Sequence, residues 1–159
     1  MPKSVKPIPS DTGQVTPYLV VRDATSAIDF YKRVFGATEV IRIVDPNGKI
    51  GHADLKIGDA HLMLSDEFPE MDANGPEVFG GSPVMIHVYV EDVDEVAARA
   101  QKAGARFAKP VENQFYGDRG GKFTDPFGQL WWIASRKENL SPEEMKRRAA
   151  EMYEAQPAS

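Results

Sequence analysis

The sequence predicts an α+β fold made of two tandem βαβββ modules followed by a C-terminal helix. The first observation behind it is an internal repeat. "VTPYLVVRDATSAIDFYKRVFGATEV" (15–40) matches "SPVMIHVYVEDVDEVAARAQKAGARF" (82–107), each reading as alternating strand, Asp, amphipathic helix, Gly-Ala and strand. The second is that each copy runs on through further short, turn-bounded apolar stretches. The third is the capping-box start Ser141-Pro142-Glu143-Glu144 near the end of the chain.

Residues 1–14 are Pro-rich and read as an extended arm. In the first module (15–67), Leu19 and Val21 alternate with Tyr18 and Val20. The helix that follows places Ile28, Tyr31, Val34 and Phe35 on one face, and Gly36 ends it. Strands are predicted over 39–44, 50–57 and 60–66, joined by "PNG" at 46–48 and by Gly58-Asp59. Segment 66–81 carries five carboxylates and no Lys or Arg, so 68–81 reads as a solvated linker. In the second module (82–135), Asp92 and Glu95 start a helix with Val93, Val96, Ala97 and Ala100 as its buried stripe, ended by Gly104. Its strands are predicted over 106–111, 121–125 and 129–135, with "DPFG" at 125–128 as the last turn. Within 136–159, a helix runs to about residue 154, with Met145, Ala149, Met152 and Tyr153 as a narrow apolar stripe for docking. A module of about fifty residues buries too little surface alone, so the two are expected to join their sheets in one domain or to pair across a dimer.

At 159 residues, 42% hydrophobic and 27% charged, the composition is that of a soluble globular domain. No apolar run approaches a membrane span and "MPKSVKPIPSDTG" holds no signal-like segment, so a cytoplasmic protein is expected. The absence of cysteine excludes disulfides, thiolate metal sites and a cysteine nucleophile. A net charge of −5 argues against nucleic-acid and membrane partners.

Strand period sorts the side chains. Leu19, Val21, Ala53, Leu55, Ile57, Leu62, Leu64, Ile86, Val88 and Val90 are expected to face the helices. The opposite face then carries Thr16, Tyr18, His52, Asp54, Lys56, His61, Met63, Ser65, Met85, His87 and Tyr89. A polar, aromatic and sulfur-bearing lining of this kind suits a pocket for a partly apolar small molecule. "FYGDRGG" adds Tyr116, Asp118 and Arg119, either a cluster aimed into a cleft or a local Asp-Arg ion pair. Of Trp131 and Trp132, one is expected under the helices and the other on the ligand face. No nucleophile triad, phosphate-binding loop or dinucleotide fingerprint is present at useful spacing.

"DATSAIDFYKRVFGA", "VYVEDVDEVAARAQKAGA" and "DPFGQLWWIA" together resemble the vicinal-oxygen-chelate superfamily, the group of glyoxalase I, fosfomycin-resistance enzymes, extradiol dioxygenases and bleomycin-binding proteins. "GHADLKIGDAHLMLSDEFPE", "LSPEEMKRRAAE" and "FYGDR" look like its phosphonate-operon-associated glyoxalase-like subgroup. The resemblance covers 15–135 and implies a cupped eight-stranded mixed sheet, commonly in a homodimer. Metal-dependent members carry His, Glu or Gln on the first strand and mostly Glu on the fourth strand of each half. Here the resemblance maps those places onto Thr16, Met63, Met85 and Trp132, none a usual ligand for a hard divalent ion.

The function expected is therefore binding of a small, partly apolar molecule without a cofactor, through Tyr18, His52, His61, Met85, His87, Tyr89, Tyr116, Asp118, Arg119 and Trp132. The alternative is an enzyme. It would be a lyase or dioxygenase with a divalent metal displaced onto His61, His87 and Glu67 or Asp118, or a metal-free isomerase using His87 or Tyr116 in proton transfer.

Overall fold

A computed structural model describes residues 4–156, so part of the predicted N-terminal arm (1–3) and of the C-terminal tail (157–159) lies outside the described residues. The elements are β1 (Tyr18–Val21), α1 (Ala24–Phe35), β2 (Thr38–Val44), β3 (Ile50–Ile57), β4 (Ala60–Asp66), β5 (Met85–Tyr89), α2 (Val93–Lys102), β6 (Arg106–Asn113), β7 (Asp118–Thr124), β8 (Leu130–Arg136) and α3 (Pro142–Ala155). Two short 3-10 turns, Pro69–Met71 and Pro76–Phe79, lie between β4 and β5. The eight strands form two four-stranded mixed sheets, ordered β1-β4-β3-β2 and β5-β8-β7-β6. In each, the first strand runs parallel to the fourth and the remaining pairs are antiparallel. The chain divides into two compact units between Gly81 and Ser82.

Alternation puts one face of each sheet under its own helix. In the first unit Leu19, Val21, Ala53, Leu55, Leu62 and Leu64 are buried, as are Ala27, Ile28, Tyr31 and Val34 of α1. In the second, Phe123, Trp131 and Ile133 are buried, as are Val93, Val96 and Ala100 of α2. Each fully buried large aliphatic or aromatic side chain contributes about 1.5–3 kcal/mol through removal of apolar surface from water.

Both helices begin in the same way. Asp23 and Asp92 cap them by accepting from Ser26 N and Glu95 N, each at 3.1 Å. The last turn of the fourth strand supplies a second acceptor. Asp66 Oδ1 accepts from Ala24 N at 2.8 Å and its Oδ2 from Ile50 N at 2.7 Å. Ser135 Oγ accepts from Val93 N at 3.0 Å. These bonds satisfy helix N–H groups that have no partner within the helix. Segment 66–81 thus departs from the expected solvated loop: Asp66 is buried at the end of β4, and Glu67 accepts from Gly75 N at 3.1 Å.

Strand β7 starts at Asp118, three residues before the expected position. Gly120 and Gly121 are there for close approach, not to break the strand. A Cβ on Gly121 would lie 3.0 Å from both Lys109 O and Val111 N of β6.

Helix α3 opens on Ser141, whose hydroxyl accepts from Glu144 N at 3.2 Å. Its Met145, Ala149 and Met152 are half-buried, while Tyr153, expected on the same stripe, is 65% exposed. Arg148 ties the helix back to the Phe115 carbonyl and the Glu138 carboxylate. Hydrogen bonds from Arg147 and Arg148 hold the Glu144 carboxyl down at about 2. A carboxyl depressed below its usual 4.5 stabilises the fold fully above that value and loses the contribution as pH falls toward 2. The amide resonances of α3 are therefore expected to hold their positions down to pH 4 and to lose helical dispersion between there and pH 2. Loss of helicity already at pH 5 would contradict this anchoring.

Candidate functional site

The face of each sheet turned away from its helix carries the polar side chains singled out from the sequence, and the two faces treat them differently. On the first unit they satisfy one another. The Tyr18 hydroxyl and His52 Nδ1 are 3.0 Å apart, with their rings stacked at 5.6 Å. His61 Nδ1 lies 2.9 Å from Asp54 Oδ1, and its Nε2 lies 3.1 Å from the Asp11 carbonyl. Both ring nitrogens of His61 are engaged, and the His61 and Asp54 side chains are over nine-tenths buried. His61 is thus neither a solvated side chain beside a turn nor a free ligand. Glu67 spends its carboxylate on Gly75 N. Among the described residues, no three His, Asp or Glu side chains converge to hold a metal ion.

Met63 pairs with Tyr18 across β1 and β4, and Trp132 with His87 across β5 and β8. With Thr16 and Met85 they offer hydroxyl, thioether and indole at the places where the resemblance expects ligands. That donor set does not fit a hard divalent cation.

On the second unit His87 and Tyr89 are exposed, while Trp132 and Asp118 are buried. His87, Trp132 and Lys122 form one cross-strand row of the face; Tyr89, Ala134 and Gly120 form the next; Asp118 and Arg136 form the last. Two small residues in the middle row leave a hollow. Trp132 leans into it over Gly120, whose added Cβ would lie 2.8 Å from the indole Nε1. Trp131 is buried and donates to Asp125 Oδ2 at 3.0 Å, so the two indoles take opposite faces of the sheet, as the strand period predicts.

From the edge of the hollow, the Tyr89 hydroxyl donates to Asp118 Oδ2 at 2.6 Å. His87 packs against Tyr89 with ring centroids 4.8 Å apart, and the Arg136 guanidinium lies 5.6 Å from the centre of the Tyr89 ring. The hydrogen bond to Asp118 raises the Tyr89 pKa above its usual value. Burial, then the nearby Asp118 charge, does the same for Tyr116. Both phenols thus keep their protons at neutral pH and act as donors, not bases. His87, the Tyr116 hydroxyl and Trp132 Nε1 have no hydrogen-bond partner among the described residues, and Trp132 Nε1 is fully buried. A cavity of about 470 Å³ lies beside Tyr89, Val90, Glu91 and Arg136.

Arg119 does not join this group, nor does it pair with Asp118. Strand alternation turns it to the helix face, where its Nε and Nη2 grip Asp94 of α2 at 2.8 and 2.9 Å. Met85 stays at the exposed start of β5, 44% accessible, opposite Leu130. Arg136 and Glu91 were missed from the sequence. Extending the two-residue period of β8 from Trp132 would have found Arg136, but the strand was expected to stop one residue short of it.

Comparison with known proteins agrees with this architecture. The family model of the Glyoxalase/Bleomycin resistance protein/Dioxygenase superfamily matches residues 13–133. An uncharacterized protein of Mycobacterium tuberculosis, Rv0887c, is 42% identical over 135 residues, spanning 83% of this chain and 79% of its own length. The crystal structure of TioX from Micromonospora superposes with a TM-score of 0.61 at 28% identity, covering 78% of this chain and 98% of that one. The X-ray structure of the Arabidopsis thaliana At5g48480 product gives a TM-score of 0.61 at 26% identity, over 77% and 98% of the two chains. The chain belongs to the glyoxalase/bleomycin resistance protein/dioxygenase superfamily.

Proposed function

We propose that the chain binds a small, partly apolar molecule on the open sheet face of its second unit, without a metal at the superfamily's usual position. The observation that carries this is the contrast between the two faces. The Tyr18 hydroxyl, His52 Nδ1, Asp54 Oδ1 and both His61 nitrogens are bonded to one another or to the backbone, whereas the exposed His87, the Tyr116 hydroxyl and the buried Trp132 Nε1 have no hydrogen-bond partner among the described residues. Tyr89, against which His87 packs, lines the 470 Å³ cavity, and unpaired polar groups close to such an aromatic wall suit a ligand that pairs with them. The motifs "GHADLKIGDAHLMLSDEFPE" and "FYGDR" support placing the chain within the phosphonate-operon-associated subgroup.

A thermal-shift panel of aromatic and heteroaromatic fragments tests the reading. Hits are expected, with Tyr116→Phe and His87→Ala each weakening binding about fivefold or more and Tyr18→Phe leaving it unchanged. A panel without hits, or hits lost with Tyr18→Phe and kept with His87→Ala, would contradict it.

A further inference from the structure

We propose that the ligand carries a cationic group, which settles against Asp118 and the face of Tyr89 in place of the Arg136 guanidinium. This rests on the small-molecule reading above and names the chemical class.

Asp118 is only 4% exposed. Its Oδ2 accepts the Tyr89 hydroxyl, while its Oδ1 accepts no hydrogen bond among the described residues and has Arg136 Nε at 3.9 Å, beyond hydrogen-bonding range. Among the described residues Oδ1 is not one of the fully buried unpaired polar atoms, so it stays within reach of solvent, and a carboxylate oxygen without a hydrogen bond gains from a close positive charge. The chain supplies only a loose one. Arg136 is 59% exposed and rests over the Tyr89 ring, where a cation gains from the ring's negative face. A long, solvated ion pair of this kind contributes little, so an incoming ammonium or guanidinium displaces it at small cost.

Two further features favour a cation on an aromatic body. Glu91 places a carboxylate in the wall of the 470 Å³ cavity, beside Tyr89 and Arg136. His87 extends the aromatic surface beyond Tyr89. Trp132 is 8% exposed, and its unpartnered N–H sits over Gly120, the neighbour of Asp118 on the face. Lys122 lies two rows away from Asp118, opposite Trp132, where its charge opposes the cation least.

The two tryptophans give two indole N–H resonances, assigned with Trp131→Phe and Trp132→Phe. The full chain is titrated with benzyltrimethylammonium, benzyl alcohol and phenylacetate, as wild type, Asp118→Asn and Arg136→Gln. Asparagine keeps an acceptor for Tyr89, and the Arg136 variant alters only an exposed side chain. The Trp132 signal is expected to move with the ammonium compound, about tenfold more weakly in Asp118→Asn and about threefold more tightly in Arg136→Gln. Preference for phenylacetate with weaker binding in Arg136→Gln overturns the inference. So does equal binding of benzyl alcohol with no effect of Asp118→Asn. In either of those cases the small-molecule reading stands. Silence from all three probes overturns the inference, and silence of the wider fragment panel as well overturns both.

Discussion

Asp125→Ala is expected to lower the stability of the second unit by about 4 kcal/mol, because three donors, one of them a buried indole, lose their acceptor at once. Asp125 is 3% exposed. Its Oδ1 accepts from Phe127 N and Gln129 N, both at 2.9 Å, and its Oδ2 takes the Trp131 indole. Asp45 holds the corresponding turn of the first unit by accepting from Asn47 N and Lys49 N. The consequence reaches the ligand face, because the turn sets where β8 begins and therefore where Trp132 falls. Both tryptophans lie in the second unit, so urea unfolding followed by tryptophan fluorescence reports on it. Asp125→Asn is expected to lose about half as much, since its amide keeps one acceptor and turns a donor toward another. A midpoint unchanged in the alanine variant would show that the turn forms without this carboxylate.

Asp66→Ala is expected to cost about 3 kcal/mol in the first unit. The two N–H groups it serves belong to different elements, the start of α1 and the start of β3, so removing it unties the helix from the sheet edge on both sides. Far-UV circular dichroism through a urea gradient measures the loss. Asp66→Ser tests the mechanism, because the second unit performs the helix part of this task with Ser135. The serine variant is expected to recover part of the stability, and the alanine variant none. Equal losses in both variants would mean that only the charge matters.

The fold was legible in the sequence because it rests on short-range rules applied twice. Apolar alternation, Asp before α1 and α2 and a turn after each hairpin strand need no knowledge of distant contacts, and each reappears in the structure. What escaped was long-range satisfaction. Asp66 reads as one of five acids in a loop until the two N–H groups that surround it are known. "GDRGG" reads as a bend until the closeness of β6 and β8 shows why two glycines belong inside a strand.

The candidate site was legible in part for the same reason. Period two put His87, Tyr89 and Trp132 on one face, and that placement holds in the structure. The same rule, applied strictly, separates Arg119 from Asp118, and reading them as neighbours in sequence obscured it. Which polar groups are already spent cannot be read from period. His61 and His87 look alike along the chain, yet Asp54 and the Asp11 carbonyl occupy one and nothing among the described residues bonds the other. Proton transfer by a phenolate is a poor alternative for this face, since the surroundings of Tyr89 and Tyr116 keep both phenols protonated at neutral pH.

The most direct test of recognition on the open face is a residue-resolved amide shift map of the intact chain with the tightest-binding fragment. Perturbations confined to 85–91, 116–120 and 132–136 are the predicted result. Perturbations centred on Tyr18, His52 and His61, with 85–91 unmoved, would contradict it.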